Sequence, residues 1–385
     1  MSSGEYYLDL FSRYGASPVW VPITENDTAS VTDQANVDTI LGCDGVFLGG
    51  GEPWRLARTL RPGTGSQVAD SPVLTAIKTK VAVGFLGGTS AGIMALSDAA
   101  VISGQSPGAK SASDISLPGG YSWEALTYGP SVGYDYTQNL TYDPLGGLGI
   151  LQNVMIDAHF SERTRQGRLT RLLAHTNTER AFGVDEDTAL DCVYQGGDLD
   201  CVVLGSRGVW LLDTPFSCPD TAGYWSCEGL VTTFLTHSDK LKMRPSGGWT
   251  TQFADWKTTI VESGGVTAAT STDIFNSERE YEYEVVVNSL LSSTDSQTWG
   301  RTNQTAPTSY QAVFTKTGQT EAVRGEMSGG EKISYSHLLL DLTRQCLAPG
   351  TLCYDGQNFI SPSCCSGTCL PAFTSGNPSP ANCPS

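Results

Sequence analysis

The stretch "VAVGFLGGTSAGIMAL", residues 81 to 96, passes from an apolar segment through a glycine-rich bend into a helix-like segment, with the single serine Ser90 at the bend. A serine that leaves a buried strand and enters a helix within one residue must take up a strained backbone. The residues two before and two after it must then be small to avoid collision. Gly88 and Gly92 occupy those two places. Such a turn exposes the serine Oγ beyond the strand and points the Ala91 N–H at an oxyanion formed there. The plain alternative is a tight strand-to-helix turn without chemistry.

The pattern around this bend repeats. Tyr7, Leu10, Phe11 and Tyr14 recur at helical spacing before Gly15, and "PVWVPI" (18–23) reads as a strand. Val37, Ile40 and Leu41 suggest a second helix, followed by the short apolar strand "GVFLGG" (45–50). Ser71 and Pro72 open a third helix that runs to about Lys80 and leads into the strand at 81–86. Helix and strand alternating in this way predict an α/β fold with a mostly parallel sheet and helices on both faces, a three-layer sandwich. Residues 106–149, rich in Gly, Pro, Ser and Tyr, read as long loops. Regular structure is expected again at "VMID" (154–157), in a helix carrying Leu169, Leu172 and Leu173, and at "AFGVD" (181–185). From Ala189 to Asp213 the pattern turns to hairpins, with GGD and SRG as turns.

Composition narrows the partners. Forty acidic against 23 basic residues give a net charge of −17, with no Lys/Arg stripe, which argues against nucleic acid and anionic membranes. No apolar run approaches the ~20 residues that span a bilayer. The eleven cysteines are spaced as disulfide partners rather than as paired zinc ligands, so no metal and no cofactor is expected. Cys192 and Cys201 flank one hairpin, and Cys218 and Cys227 close a small loop. Sequons at Asn26, Asn139 and Asn303 fit glycosylation. Together these favour an extracellular, secreted protein, although Met1–Leu10 lacks the layout of a signal peptide.

A serine nucleophile needs a base. Of the four histidines, His159 alone follows an apolar strand at the end where open α/β sheets carry their sites. The next strand ends in Asp185, Glu186 and Asp187, any of which could orient the imidazole. Spacing does not choose among the three.

With these residues assembled, the chain resembles the cyanophycinase and aspartyl dipeptidase family of serine peptidases, whose fold is related to class I glutamine amidotransferases (flavodoxin-like). "GGTSAG" (87–92), "DAHFSERTRQGRL" (157–169) and "GVDEDTAL" (183–190) carry the likeness, over about residues 5–245. It implies Ser90 as nucleophile, His159 as base, Glu186 as orienting acid, and a second oxyanion N–H from Gly51 beside that of Ala91. It also implies substrate contacts from Asp157, Arg163, Arg165 and Arg168, the arginines suiting the free carboxylate of an aspartyl unit. The order Ser, His, Glu argues against an ordinary α/β-hydrolase, where the acid precedes the histidine.

Departures from the family are as informative. Where it generally reads GGDQ and DQH, this chain has Gly50-Gly51-Glu52-Pro53 and Asp157-Ala158-His159. Both substrate-facing glutamines are absent, so a short aspartyl or β-aspartyl peptide is a better expectation than cyanophycin. The family also begins with a strand, a helix and a strand that have no counterpart here, implying an N-terminally incomplete domain that lacks its first strands.

The expected domains are therefore the peptidase-like region 1–245, an extension 246–345 of unassigned role, and a cysteine-rich module 346–385. In that module Cys346, Cys353, Cys364, Cys365, Cys369 and Cys383 resemble a knottin framework. The resemblance implies pairs Cys346–Cys365, Cys353–Cys369 and Cys364–Cys383. The leading expectation is a serine peptidase acting on an aspartyl peptide, with a homodimer left open. The alternative is a secreted, non-catalytic binding protein that contacts glycan or protein through the tail.

Overall fold

The computed structural model describes residues 3–103, 120–133, 140–214, 218, 220–221, 224–244, 247–276, 281–303, 309–327 and 329–345, with short backbone segments between 352 and 382. The first block contains α1 (Ser3–Arg13), α2 (Gln34–Gly42), β1 (Gly45–Leu48), α3 (Pro53–Leu60), α4 (Pro72–Val81), β2 (Phe85–Gly88) and α5 (Ala91–Met94). The Asp33 carboxylate accepts from the Ala35 N–H at 2.9 Å to start α2, and Ser71 Oγ accepts from the Leu74 N–H at 3.1 Å to start α4. Pro72 then occupies the first turn, where no N–H is needed. β1 and β2 pair in parallel from Gly45↔Phe85 to Leu48↔Gly88, and Val37, Ile40, Leu48, Leu74, Ile77 and Leu148 close a core behind them.

Two expectations for this half are corrected. Residues 18–23 form no strand: Pro18 and Pro22 each remove a ladder donor, and Val19 and Trp20 stay exposed. Within 106–149, where long loops were expected, lie α6 (Gly120–Tyr128), β4 (Pro130–Val132) and β5 (Leu140–Asp143). β5 pairs with β4 in parallel and with β3 (Val101–Ser103) antiparallel. The helix forms because Ala125 and Leu126 have somewhere to go: both are fully buried in the core shared with Leu169 and Leu172.

The second half holds β6 (Met155–Ala158), α7 (Gln166–Thr176), β7 (Arg180–Val184), β8 (Thr188–Gln195), β9 (Asp198–Gly205), β10 (Gly208–Asp213), β11 (Asp220–Thr221), β12 (Tyr224–Trp225), β13 (Cys227–Thr236), β14 (Lys240–Met243), β15 (Trp249–Gln252) and β16 (Thr258–Thr259). It continues with α8 (Glu282–Ser292), β17 (Gln297–Arg301), β18 (Tyr310–Thr315), β19 (Glu321–Met327) and β20 (Gly330–Arg344). A nine-stranded sheet runs β16-β19-β20-β13-β10-β7-β6, with β18 also on β20 and β17 on β18. A four-stranded sheet runs β15-β14-β9-β8.

The fold is thus mixed α/β rather than mostly parallel. Parallel pairing is confined, among the described strands, to β1–β2, β4–β5 and β6–β7. The physical reason is connection length: β6 reaches β7 through helix α7, a parallel crossover, whereas a short turn such as that at 196–197 forces β8 and β9 antiparallel. Strands of the extension 246–345 are part of the same large sheet, since β20 pairs with β13 from Cys227↔Leu342 to Phe234↔Tyr335.

Cys192 and Cys201 face each other across β8 and β9 and are disulfide-bonded, as are Cys218 and Cys227. Cys43 is unpaired, its Sγ donating to the Ile40 and Gly45 carbonyls at 3.0 Å. Asn26 and Asn303 are exposed, whereas Asn139 lies outside the described residues. The knottin-like pairing also lies outside them: Cys353 and Cys364 are described in backbone only, and Cys346, Cys365, Cys369 and Cys383 not at all. Among the described residues, no helix is long and apolar enough to cross a membrane.

Candidate active site

Ser90 sits between β2 and α5 with φ 52° and ψ −119°, a left-handed backbone that a residue bearing a Cβ adopts only under constraint. The constraint is visible in its neighbours. A Cβ on Gly92 would lie 2.2 Å from the Leu48 carbonyl oxygen, and one on Gly88 would lie 3.0 Å from the Gly92 carbonyl carbon. Only glycine lets α5 turn back this tightly over β1. Gly50 closes the other side, where a Cβ would come within 3.3 Å of Ser90 Cβ, and Gly51 follows with φ 147°.

His159 directly follows β6 and also has positive φ, 49°. Because β6 and β7 are parallel and in register, Ala158 opposite Val184, the residues just beyond both strands emerge side by side. His159 Nε2 lies 2.8 Å from Ser90 Oγ and Nδ1 lies 2.7 Å from Glu186 Oε1. The tautomer protonated on Nδ1 donates to Glu186 and leaves Nε2 free to accept from the serine. Burial, together with the positive charges of Arg163 and Arg165, holds His159 below its usual pKa, against the pull of Glu186. A neutral imidazole at neutral pH can take the serine proton, and Glu186 can stabilise the cation that results.

The structure separates the three acids that spacing left open. Glu186 meets His159, whereas Asp185 is buried and turned away, accepting from the Ser161 N–H at 2.9 Å and the Gly208 N–H at 3.3 Å. Asp187 is exposed at a left-handed turn, φ 50°. The remaining histidines lie elsewhere. His175 contacts the Tyr142 hydroxyl at 3.2 Å, His237 accepts from the Gly205 N–H at 3.1 Å, and His337 lies within β20.

The arginines expected at the substrate divide into two groups. Asp157 is fully buried; its Oδ1 accepts from the Ala158 N–H at 2.8 Å, from Arg165 Nη1 at 3.0 Å and from Arg168 Nη2 at 2.6 Å. Arg168 Nε donates to Oδ2 at 2.8 Å. Burial alone would raise the Asp157 carboxyl, but Arg168 and Arg165 hold it below the usual carboxylate range. Arg165 and Arg168 are themselves only 6% and 4% exposed, so this trio is an internal clamp on the strand end that carries His159. Arg163 alone of the three is half-buried; its charge, like that of Arg165, acts on His159.

Sequence reasoning missed the wall behind the His159 loop. Glu162, Arg207, Tyr281 and Glu284 meet there from segments up to about 120 residues apart, a separation that no local pattern signals. Among the described residues, no cluster of His, Cys, Asp or Glu is arranged to hold a metal ion.

No family model matches the chain. It is 28% identical over 212 residues to the cyanophycinases of Synechococcus elongatus and Thermosynechococcus vestitus, in each case covering 54% of this chain and 54% of the relative. It is also 28% identical over 212 residues to that of Geminocystis herdmanii, covering 64% of the relative. The chain spans about half to two thirds of the length of these curated relatives. Over slightly more than half of its own length, then, this chain is similar to cyanophycinases.

Proposed function

We propose that the protein is a serine-type hydrolase that cleaves aspartyl or β-aspartyl peptide bonds through Ser90, His159 and Glu186. The observation that carries this reading is the unbroken chain Ser90 Oγ, His159 Nε2, His159 Nδ1, Glu186 Oε1, with links of 2.8 and 2.7 Å and the serine on a strained elbow. His159 accepts the proton of Ser90 as Oγ adds to the scissile carbonyl carbon. The backbone N–H groups of Ala91 and Gly51 receive the oxyanion. Collapse breaks the C–N bond, the leaving amine takes the proton from His159, and an acyl-enzyme remains. A water molecule, deprotonated by His159, then hydrolyses the ester and returns the proton to Ser90.

The similarity to cyanophycinases supports a peptidase-like hydrolase, and the substrate follows from what differs. Arg163 is the arginine left to meet a substrate carboxylate, because Arg165 and Arg168 are bound to Asp157. Pro53 begins α3 where the family has a glutamine, and Ala158 stands where it has another. A short peptide with a free aspartyl carboxylate fits one guanidinium; the two disulfides support an oxidising, extracellular setting. The test is hydrolysis of a panel of α- and β-aspartyl dipeptides by the protein and by Ser90→Ala. Release of aspartate by the first and not the second supports the reading. Equal turnover by both, or none by either, refutes it.

A further inference from the structure

The extension 246–345 reaches the loop that carries His159. The Tyr281 hydroxyl donates to Glu162 Oε1 at 3.2 Å, three residues beyond His159, and Thr164 Oγ1 donates to the Phe275 carbonyl at 3.0 Å. Both sides of this contact are conformationally constrained, with φ 47° at Thr164 and φ 67° at Tyr281. The Tyr281 ring is itself covered by the Arg207 guanidinium, 3.4 Å from the ring centroid, from the turn whose Gly208 N–H bonds Asp185. Beside Tyr281, Glu284 is half-buried at the start of α8. Its Oε1, Glu162 Oε2 and Ser161 Oγ are buried atoms, and the Glu284 carboxyl interacts with the Ser161 hydroxyl and with the charge of Glu162.

We infer that Tyr281 and Glu284 are positioning residues, which hold the loop 159–165 and the strand end at Glu186 in the arrangement that aligns His159 with Ser90. This rests on the serine-hydrolase reading. The physical case is that His159 and Glu186 emerge from adjacent strand ends and are tied to each other at one point only, the 2.7 Å bond. The loop behind His159 is tied to the neighbouring strand end by the Ser161 N–H on Asp185, and the extension adds a further fixed surface through Glu162. Electrostatics agree: burial pushes the Glu162 carboxyl up, opposed by the backbone amides of Glu162 and Glu186, and pushes Glu284 up to about 7. Burial, with the charges of Glu284 and Glu162, raises Asp185 as well. The charges acting on Glu284 are those of Arg207, Glu162 and Lys332, and Glu284 in turn acts on Asp185 and Tyr335.

The test uses the full chain and a fluorophosphonate probe, with inactivation followed to saturation so that the maximal rate and the half-saturating concentration separate. Tyr281→Phe removes one hydroxyl and keeps the ring over which Arg207 stacks. It is expected to lower the maximal rate about five-fold, the worth of one hydrogen bond, with half-saturation and thermal midpoint nearly unchanged. Glu284→Ala is expected to lower it about ten-fold, and Glu284→Gln, of the same shape and without charge, to restore most of that loss. Maximal rates within about two-fold of the parent protein in both Tyr281→Phe and Glu284→Ala overturn the inference while leaving the hydrolase reading intact. A parent protein that does not react at Ser90 refutes the hydrolase reading itself, and the inference with it.

Discussion

Replacing Asp157 by Asn removes one charge from the clamp behind His159 and changes almost nothing in shape. Asp157 is fully buried and accepts four hydrogen bonds, three of them from Arg165 and Arg168, whose guanidinia are buried too. The asparagine amide offers one oxygen in place of two, and its NH2 faces guanidinium donors. Two buried cations then lose the carboxylate that they share. Breaking a buried pair in this way costs about 3–5 kcal/mol, far more than the same change at an exposed bridge. Urea unfolding monitored by the fluorescence of the buried Trp210 and Trp225 measures that loss. In thermal melts it corresponds to a drop of about 4–6 °C for a chain of this size. The pH dependence gives a second reading. Asp157 has a lowered folded pKa, so its contribution is present above the unfolded value of 3.8 and fades as pH falls through the folded one. The gap between parent and Asp157→Asn should therefore close on acidification. A loss below about 1 kcal/mol at neutral pH would refute the clamp and return Arg165 and Arg168 to the substrate.

Three further outcomes are expected. Gly92→Ala would place its Cβ 2.2 Å from the Leu48 carbonyl oxygen, so α5 must move; the protein should lose about 3 kcal/mol and most of its reactivity at Ser90, and a parent-like melt contradicts the elbow. Because His159 has a lowered pKa, the acid limb of the Ser90 inactivation rate should have its midpoint below the usual histidine value of 6.5; a midpoint above it contradicts the environment described for the ring. Glu284, raised from 4.5 to about 7, contributes stability that is full below 4.5 and lost as pH rises to about 7, worth about 3 kcal/mol shared among the coupled carboxyls. Melts of Glu284→Gln should lack that part of the pH dependence, and curves parallel to those of the parent across this window argue against it.

How much of this was legible in the sequence depends on how local each feature is. Ser90 announced itself because its constraint lies within five residues: Gly88 and Gly92 are small where the turn closes. His159 was readable from its place after an apolar strand. Glu186 was not readable without a resemblance, since Asp185 and Asp187 flank it, and only the register of β6 on β7 decides which acid faces the ring. The burial of Arg165 and Arg168 was hidden for a related reason. Two arginines three apart suggest one exposed helix face, and the buried Asp157 that reverses this lies on another element. The strands from 297 to 344 and the helix beginning in "YEYEVVV" depend on pairing and packing far along the chain. Val286 and Val287 enter a helix only because Tyr283, Val286, Val287 and Leu290 bury one stripe of it.

The central claim is that Ser90 is a nucleophile activated by His159, and the most direct measurement is mass analysis of the peptide containing residue 90 after exposure to a fluorophosphonate. The account predicts a single covalent adduct on Ser90, absent from Ser90→Ala and formed about a thousand-fold more slowly in His159→Ala. No adduct on Ser90, or an adduct whose rate of formation is unchanged by loss of His159, would contradict it.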